Sequence, residues 1–396
     1  MLTPFTRKLT SVKQTIYKRL TFHLCFQGFS RIMSLTITKS ILIVTAFFSF
    51  FQAPVSASSP HVINFRSPNL YPESLAWDPA AQHFIVGSLN HPTLLAISDA
   101  GVVNTLVNDQ SLPDNSSFLG VTVDVFHHRL LAVVYNLSDP SNCALAAYDS
   151  RAPHTRLFLT TLHDPASSPT AAGANDVTVD FSGNAFVTNS ASNLIWKVDR
   201  DGKASVLSKS KVFNKTAAVP DMLHSSCGLN GIAYCTKGYL LVAQSNTGNL
   251  YKVDDEDGTA RKIRLNRELT APDGIALRRD GVLLVVSQHK LYFIKSDDSW
   301  SEGVVYDETA LDSESFATSV TVGAEDRVYV LYGHLKEGIL GNSQRDEFSI
   351  LEVRSEDESA GEAVWVYVLI GFGLIYFLIW RFQMRQLFTN MNKKIA

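Results

Sequence analysis

The chain has 396 residues, 45% of them hydrophobic and 18% charged, with a formal net charge of −3. That length has room for more than one domain, and the apolar fraction is ordinary for a globular core. The near-neutral balance excludes a polyanion-binding surface. No basic stripe with interleaved aromatics occurs either, which excludes a nucleic-acid partner.

The first predicted element is a targeting segment, residues 1–57. No Asp or Glu precedes Glu73, whereas Arg7, Lys8, Lys13, Lys18, Arg19, Arg31 and Lys39 are basic. An apolar run from Ile41 to Phe51 follows, and Val55-Ser56-Ala57 offers small residues for cleavage. This is the order of a secretory signal. The stretch before Met33 is longer than a signal needs, so Met33 is an alternative start. A transit peptide and a retained signal anchor are the rival readings.

Residues 58–358 carry a repeat. Glu73-Ser74-Leu75-Ala76-Trp77, Leu119-Gly120-Val121-Thr122-Val123 and Asn175-Asp176-Val177-Thr178-Val179 are versions of one stretch. Asn230-Gly231-Ile232-Ala233-Tyr234, Pro272-Asp273-Gly274-Ile275-Ala276 and Thr318-Ser319-Val320-Thr321-Val322 are three more. Each is followed by a turn, an apolar strand, a polar connection and another strand. The Asn175 copy shows Asp180–Asn184 as turn, then strands over 185–188 and 194–198. Short strands with Gly and Asp turns at this period predict propeller blades, and six blades close a β-propeller. The expected fold is therefore all-β, a six-bladed propeller between a signal segment and one membrane helix.

Ala363 to Trp380 contains no charge and is long enough to cross a thin bilayer. Trp365 and Tyr367 sit at one edge, Tyr376 and Trp380 at the other, as interfacial aromatics do. Acidic residues precede the span, and Arg381, Arg385, Lys393 and Lys394 follow it. The tail, 381–396, is therefore expected in the cytosol and the propeller in a lumen. Lys393-Lys394-Ile395-Ala396 resembles a dilysine retrieval signal, which points to the endoplasmic reticulum membrane; another secretory membrane is the alternative. Asn115, Asn136 and Asn214 head glycosylation sequons. Beyond Cys25, the thiols Cys143, Cys227 and Cys235 are odd in number, and no disulfide framework is expected.

In a propeller the first strand of each blade lines the central channel, so the six copies define a ring: Glu73, Leu119, Asn175, Asn230, Asp273 and Thr318. Two carboxylates and two amides converging there repel without a counter-charge. Oxygen donors without His or Cys select a hard cation, and a wide mixed ring suits Ca2+. The competing explanation is that Asn and Asp at strand starts satisfy nearby backbone groups.

Pro72-Glu73, Asn175-Asp176, Asn230-Gly231 and Pro272-Asp273-Gly274, in order and at blade spacing, resemble the metal-site signatures of the senescence marker protein/gluconolactonase family. That family lies within the calcium-dependent phosphotriesterase superfamily, with diisopropyl fluorophosphatase, the paraoxonases and strictosidine synthase-like propellers. The resemblance runs from roughly Tyr71 to Val353. It implies that Glu73, Asn175, Asn230 and Asp273 ligate calcium and that Asp273 is the catalytic nucleophile or general base. Leu119, His224 and Thr318 are candidate substrate contacts. His127 and His128 fall in a turn at the far end from the metal, and Asp312 and Glu314 precede the sixth inner strand at the near end.

The expected function is lumenal calcium-dependent hydrolysis of a small ester-like substrate: lactone, aryl ester or phosphoester. The alternative is a non-catalytic, calcium-stabilised propeller that binds a protein or glycan. A strictosidine-like condensation is a poorer third. No protein partner is identified by the sequence.

Overall fold

The computed structural model describes residues 60–136, 138–139, 142–164, 173–213, 227–341 and 344–395. The expected signal segment, His224 and Asn214 lie outside them.

The described residues form the six-bladed propeller. Blade 1 is β2(Leu75–Asp78), β3(His83–Val86), β4(Thr93–Ile97) and β5(Val103–Asn108), and blade 2 is β6(Ser116–Asp124), β7(Arg129–Asn136), β8(Ala144–Asp149) and β9(Arg156–Thr161). Blade 3 is β10(Ala174–Val179), β11(Ala185–Asn189), β12(Leu194–Val198) and β13(Ala204–Ser208), and blade 4 is β14(Leu229–Cys235), β15(Tyr239–Gln244), β16(Asn249–Asp254) and β17(Ala260–Lys262). Blade 5 runs β19(Ile275–Leu277), β20(Leu283–Val286), β21(Lys290–Lys295) and β22(Glu302–Ala310), with the short β18(Arg264–Leu265) parallel to β22 outside it. Blade 6 is β23(Ala317–Val322), β24(Val328–Tyr332), β25(Glu347–Val353) and, outermost, β1(Val62–Arg66) from the start of the described chain.

The pairing of β1 with β25, Val62 against Leu351 through Arg66 against Glu347, closes the ring. Each inner strand packs beside the next, and β23 returns to β2. Closure leaves no inner edge to recruit another chain.

The local sequence explains the blades. Second strands are covered on both faces by neighbouring blades and so read as unbroken apolar runs: Leu283–Val286 is LLVV and buried throughout. Outer strands face solvent and alternate weakly, as in β9 and β13. Asp residues make the turns after the inner strands. Asp180 Oδ1 accepts Ser182 N at 2.9 Å and Asn184 N at 2.8 Å, and Gly183 beside it takes φ 87°. Asp78 Oδ1 accepts Ala80 N at 2.8 Å in the same way.

A short helix α1(Leu335–Leu340) joins β24 to β25 at the ring end of blade 6. The long helix α2(Glu356–Ile395) follows β25 at the opposite end, where Val322, Val328 and Val353 lie side by side. Its segment Tyr367–Met391 is long and apolar enough to cross a membrane, with none of it covered by the propeller. The helix extends past 363–380 on both sides, because flanking charged residues end the apolar run without ending the helix. Arg278 Nη2 meets Glu358 Oε1 at 2.6 Å and Tyr306 Oη donates to the same oxygen at 2.5 Å, fixing the first turn of α2 to blade 5.

Of the sequons, Asn115 is exposed, while Asn136 is buried. Asn136 Nδ2 donates to Asp114 O at 3.0 Å and its Oδ1 accepts Ser138 N at 2.9 Å, so the folded chain does not present that amide as an acceptor. Cys143, Cys227 and Cys235 are free thiols, as expected.

Candidate functional site

Five of the six ring residues, all but Glu73, owe their direction to irregularities in the inner strands. Register shifts fall between Phe118 and Val121, Ala174 and Val177, Leu229 and Ile232, and Ala317 and Ser319. Each shift holds one ring residue: Leu119, Asn175, Asn230 or Thr318. In blade 5 two residues oppose one, since Asp273 N donates to Val286 O at 2.8 Å and Val286 N donates to Gly274 O at 3.0 Å. A bulge of this kind re-aims a side chain and then resumes the pleat. The residue two positions on is buried in all six blades: Leu75, Val121, Val177, Ile232, Ile275 and Val320.

The residue directly after each ring position stitches the blades together. Ser74 Oγ accepts Val121 N at 3.0 Å, Asp176 Oδ2 accepts Ile232 N at 3.1 Å, and Ser319 Oγ accepts Leu75 N at 3.1 Å. Where that residue is glycine, backbone meets backbone: Gly231 N donates to Asp273 O at 3.2 Å and Gly274 N to Thr318 O at 3.1 Å. A Cβ at Gly231 would lie 2.3 Å from Asp273 O, and one at Gly120 would lie 2.5 Å from Asp176 Cα. The closeness of the blades therefore dictates glycine or a small hydrogen-bonding residue here. Asp176, which the sequence leaves outside the candidate set, belongs to this stitch.

On this frame Glu73, Asp176 and Asp273 share one buried field. Burial drives the Glu73 carboxyl well above its usual range, and the negative charges of Asp273 and Asp176 raise it further. Burial pushes Asp176 up to about 7 against the pull of its two backbone donors, Val177 N and Ile232 N. Asp273 is also pushed up to about 7, chiefly by burial; the Asn230 hydrogen bond opposes the rise and the Asp176 charge adds to it. Asn230 Nδ2 donates to Asp273 Oδ1 at 2.7 Å and to Ser245 Oγ at 3.0 Å, and Ser245 Oγ donates to Pro272 O at 2.6 Å.

Cys227 completes the neighbourhood. Its sulfur lies 3.5 Å from Asn230 Nδ2. Burial pushes the thiol up to about 11, and the Asp273 and Glu73 charges contribute. A protonated thiol beside carboxylates is a poor nucleophile. The sequence carries no signal for this placement, because Cys227 precedes the repeat motif.

The arrangement fits a cation. Among the described residues no basic group contributes to the field at Glu73, Asp176 or Asp273. Asn175 Oδ1 and Thr318 Oγ1 are buried without a hydrogen-bond partner among the described residues. Buried carboxyls without a counter-ion, next to an orphaned amide oxygen, are costly unless something positive joins them. Among the described residues no three His, Cys, Asp or Glu side chains form a metal-binding group on their own, so amide oxygens are needed to complete any such set. Carboxylate and amide oxygens are hard donors suited to calcium.

Leu119 is buried in an apolar cluster with Leu70, Leu89 and Tyr135. Glu314 is exposed on the loop before β23, and Asp312 Oδ2 accepts Ser315 Oγ at 2.6 Å. His127 and His128 occupy the β6–β7 turn at the far end, with His127 Nδ1 3.0 Å from Asp124 Oδ1. A cavity of about 250 Å³, lined by all six inner strands, runs from the level of Ser74, Asp176 and Ser319 toward that end.

No protein-family model matches the chain, and no curated protein matches its sequence. Solved structures do. The major Malassezia sympodialis allergen Mala s 1 is 16% identical, with a TM-score of 0.62 over 75% of this chain and 97% of the allergen. A Xanthomonas campestris gluconolactonase is 15% identical, with a TM-score of 0.51 over 76% of this chain and 93% of that one. A streptogramin B lyase is 12% identical, with a TM-score of 0.50 over 74% and 98%. The propeller is the shared property. Identities this low carry the fold and not the chemistry.

Proposed function

We propose that the chain is a membrane-anchored, calcium-dependent hydrolase of an ester-like bond in a lactone, aryl ester or phosphoester. The observation that carries this reading is the trio of carboxyls Glu73, Asp176 and Asp273, of which Asp273 is buried and the other two half-buried, with no basic partner among the described residues, beside the orphaned Asn175 oxygen. Likeness in fold to a gluconolactonase accords with it. Glu73, Asn175, Asn230 and Asp273 would hold the calcium. Bound there, the ion would supply Lewis-acid polarisation of the scissile carbonyl or phosphoryl oxygen.

The remaining chemistry falls to side chains. Asp273 Oδ2 is the general base, taking a proton from water. The Asn230 amide holds Oδ1 at 2.7 Å, which leaves Oδ2 as the oxygen that would take the proton. A carboxyl poised near 7 matches proton transfer at neutral pH. Leu119 would exclude water from one wall, and Thr318 would contact substrate. His224 retains its proposed role as a substrate contact.

The test is Asp273→Asn in the full chain against a panel of lactones and aryl esters, with and without chelator. The reading requires loss of turnover by at least about 10²-fold with the melting profile kept, and the same loss in wild type on chelation. An unchanged rate in Asp273→Asn refutes it.

A second reading is favoured by the Asn230 contacts, which knit blade 4 to blade 5 through Ser245, Pro272 and Asp273. In it calcium pins the blades and the propeller binds a protein or glycan without turnover. Calcium-dependent melting with no hydrolysis of the panel would select it. For placement, the propeller is assigned to the lumen of the endoplasmic reticulum and the Lys393-Lys394 tail to the cytosol, on the charge asymmetry about the span.

A further inference from the structure

The face of the propeller opposite the ring carries an exposed aromatic row. Phe126, in the β6–β7 turn, is 69% exposed, and Phe181, in the β10–β11 turn, is 54% exposed. Their rings meet edge to face with centroids 5.3 Å apart, and Phe181 meets Tyr234 of blade 4 at 6.1 Å. Val125 beside Phe126 and Val102 in the outer turn of blade 1 are also exposed on this face.

The platform beneath is fixed. Arg129 binds Asp124 Oδ2 at 2.6 Å, Gly183 O at 2.6 Å and Arg200 O at 3.0 Å, which ties the turn bearing Phe126 to the turn bearing Phe181. Two large apolar rings are thus held outward on rigid turns, where solvent gives no return for their exposure.

The same face is where α2 leaves. Val353 ends β25 beside Val322 and Val328, at the inner-turn end of blade 6, and Glu358 binds Arg278 at the corresponding turn of blade 5. The apolar segment begins at Tyr367, nine residues past Glu358. At about 1.5 Å per residue this places the hydrocarbon within about 15 Å of the face. Helix and aromatic row stand on opposite sides of the ring, blades 5 and 6 against blades 2 and 3. A bilayer crossed by α2 therefore faces the row at high effective concentration, and amphipathic aromatics partition into its interface.

We propose that this face docks on the lipid surface, with Phe126 and Phe181 inserted at the headgroup–acyl boundary. The propeller would then sit with its ring end turned away from the membrane. The proposal rests on α2 spanning the bilayer, and the experiment separates the two.

The chain is reconstituted into phosphatidylcholine vesicles with or without bromine at the headgroup end of the acyl chains. Phe126→Trp reports from the face and Leu340→Trp, exposed on α1 at the ring end, serves as control. The emission each adds to that of the five native tryptophans is recorded. Docking predicts that brominated lipid removes most of the added signal for Phe126→Trp and none for Leu340→Trp. Adding Phe181→Ser to Phe126→Trp should weaken that quenching severalfold. Flotation with the vesicles, but no selective quenching at 126, overturns the docking and leaves the span intact, as expected if a protein or second copy covers the face. Quenching indifferent to Phe181→Ser overturns the anchoring role of the aromatic pair. Failure to float overturns span and docking together.

Discussion

The amide of Asn230 hands a hydrogen to Asp273 across the joint between blades 4 and 5 at 2.7 Å, although 43 residues separate them in the chain. The same nitrogen reaches Ser245 Oγ, so one side chain orients the proposed base and holds two blades in register. Asn230→Ala should lower the stability of the calcium-free chain by about 1–3 kcal/mol, because Asp273 and Ser245 lose their donor inside the fold. Chemical denaturation in chelator measures this, and turnover of any active ester should fall in parallel.

Protons and calcium should compete for the site. Asp176 and Asp273 titrate near 7 in the folded chain against an ordinary value of 3.8. Between these limits the folded chain binds more protons than the unfolded one. Stability in chelator should therefore fall as pH rises from about 4 to about 7. Calcium requires ionised carboxyls, so its apparent affinity should weaken as pH drops below about 7. Melting curves in chelator and in excess calcium across that range check both slopes. Stability that rises with pH in chelator would show the carboxyls are held ionised without the ion.

Gly231 and Gly281 should fail differently when changed to alanine. A Cβ at Gly231 runs into Asp273 O at 2.3 Å, and the next nearest atoms, Ile275 N and Gly274 C, are backbone that cannot swing aside. The cost is about 3 kcal/mol or more, and calcium affinity should drop because the Asp273 loop must shift. Gly281 has open space within 4 Å but holds φ 88°. There the cost is backbone strain of about 1–2 kcal/mol, with calcium binding unchanged. Denaturant midpoints paired with calcium titration distinguish the two.

The Asp124–Arg129 pair is buried, with side-chain exposures of 1% and 4%. Arg129→Met should destabilise by about 3–5 kcal/mol, since it leaves the buried Asp124 with His127 alone and frees two carbonyls of blade 3. Asp124→Asn added to that variant should restore part of the loss. A double variant no better than the single would mean that the Arg129 bonds to Gly183 and Arg200 carry the effect.

Much of the architecture was legible before any coordinates. Period-two alternation and Asp or Gly turns are written in neighbouring residues, so the six inner strands, their partners and the apolar helix read directly. Recurrence with the repeat marks Glu73, Asn175, Asn230 and Asp273 as candidates, and metal titration with Asp273→Asn is their test. Outer strands such as β9 and β13 did not, since a strand with one wet face and no core to fill leaves a weak pattern. Cys227 and Asp176 were missed as members of the site, one lying before the motif and the other reading as a companion of Asn175.

The sequence by itself determined the repeat, the oxygen-rich ring and a span of membrane length, because each depends on residues close together along the chain. Only the tertiary structure decided that β1 closes blade 6, that bulges aim the ring side chains, and that α2 leaves on the face bearing Phe126 and Phe181. These depend on which distant segments meet, as when Leu75 N finds Ser319 Oγ across 244 residues. That choice is made by closure of the whole ring, and no local pattern encodes it.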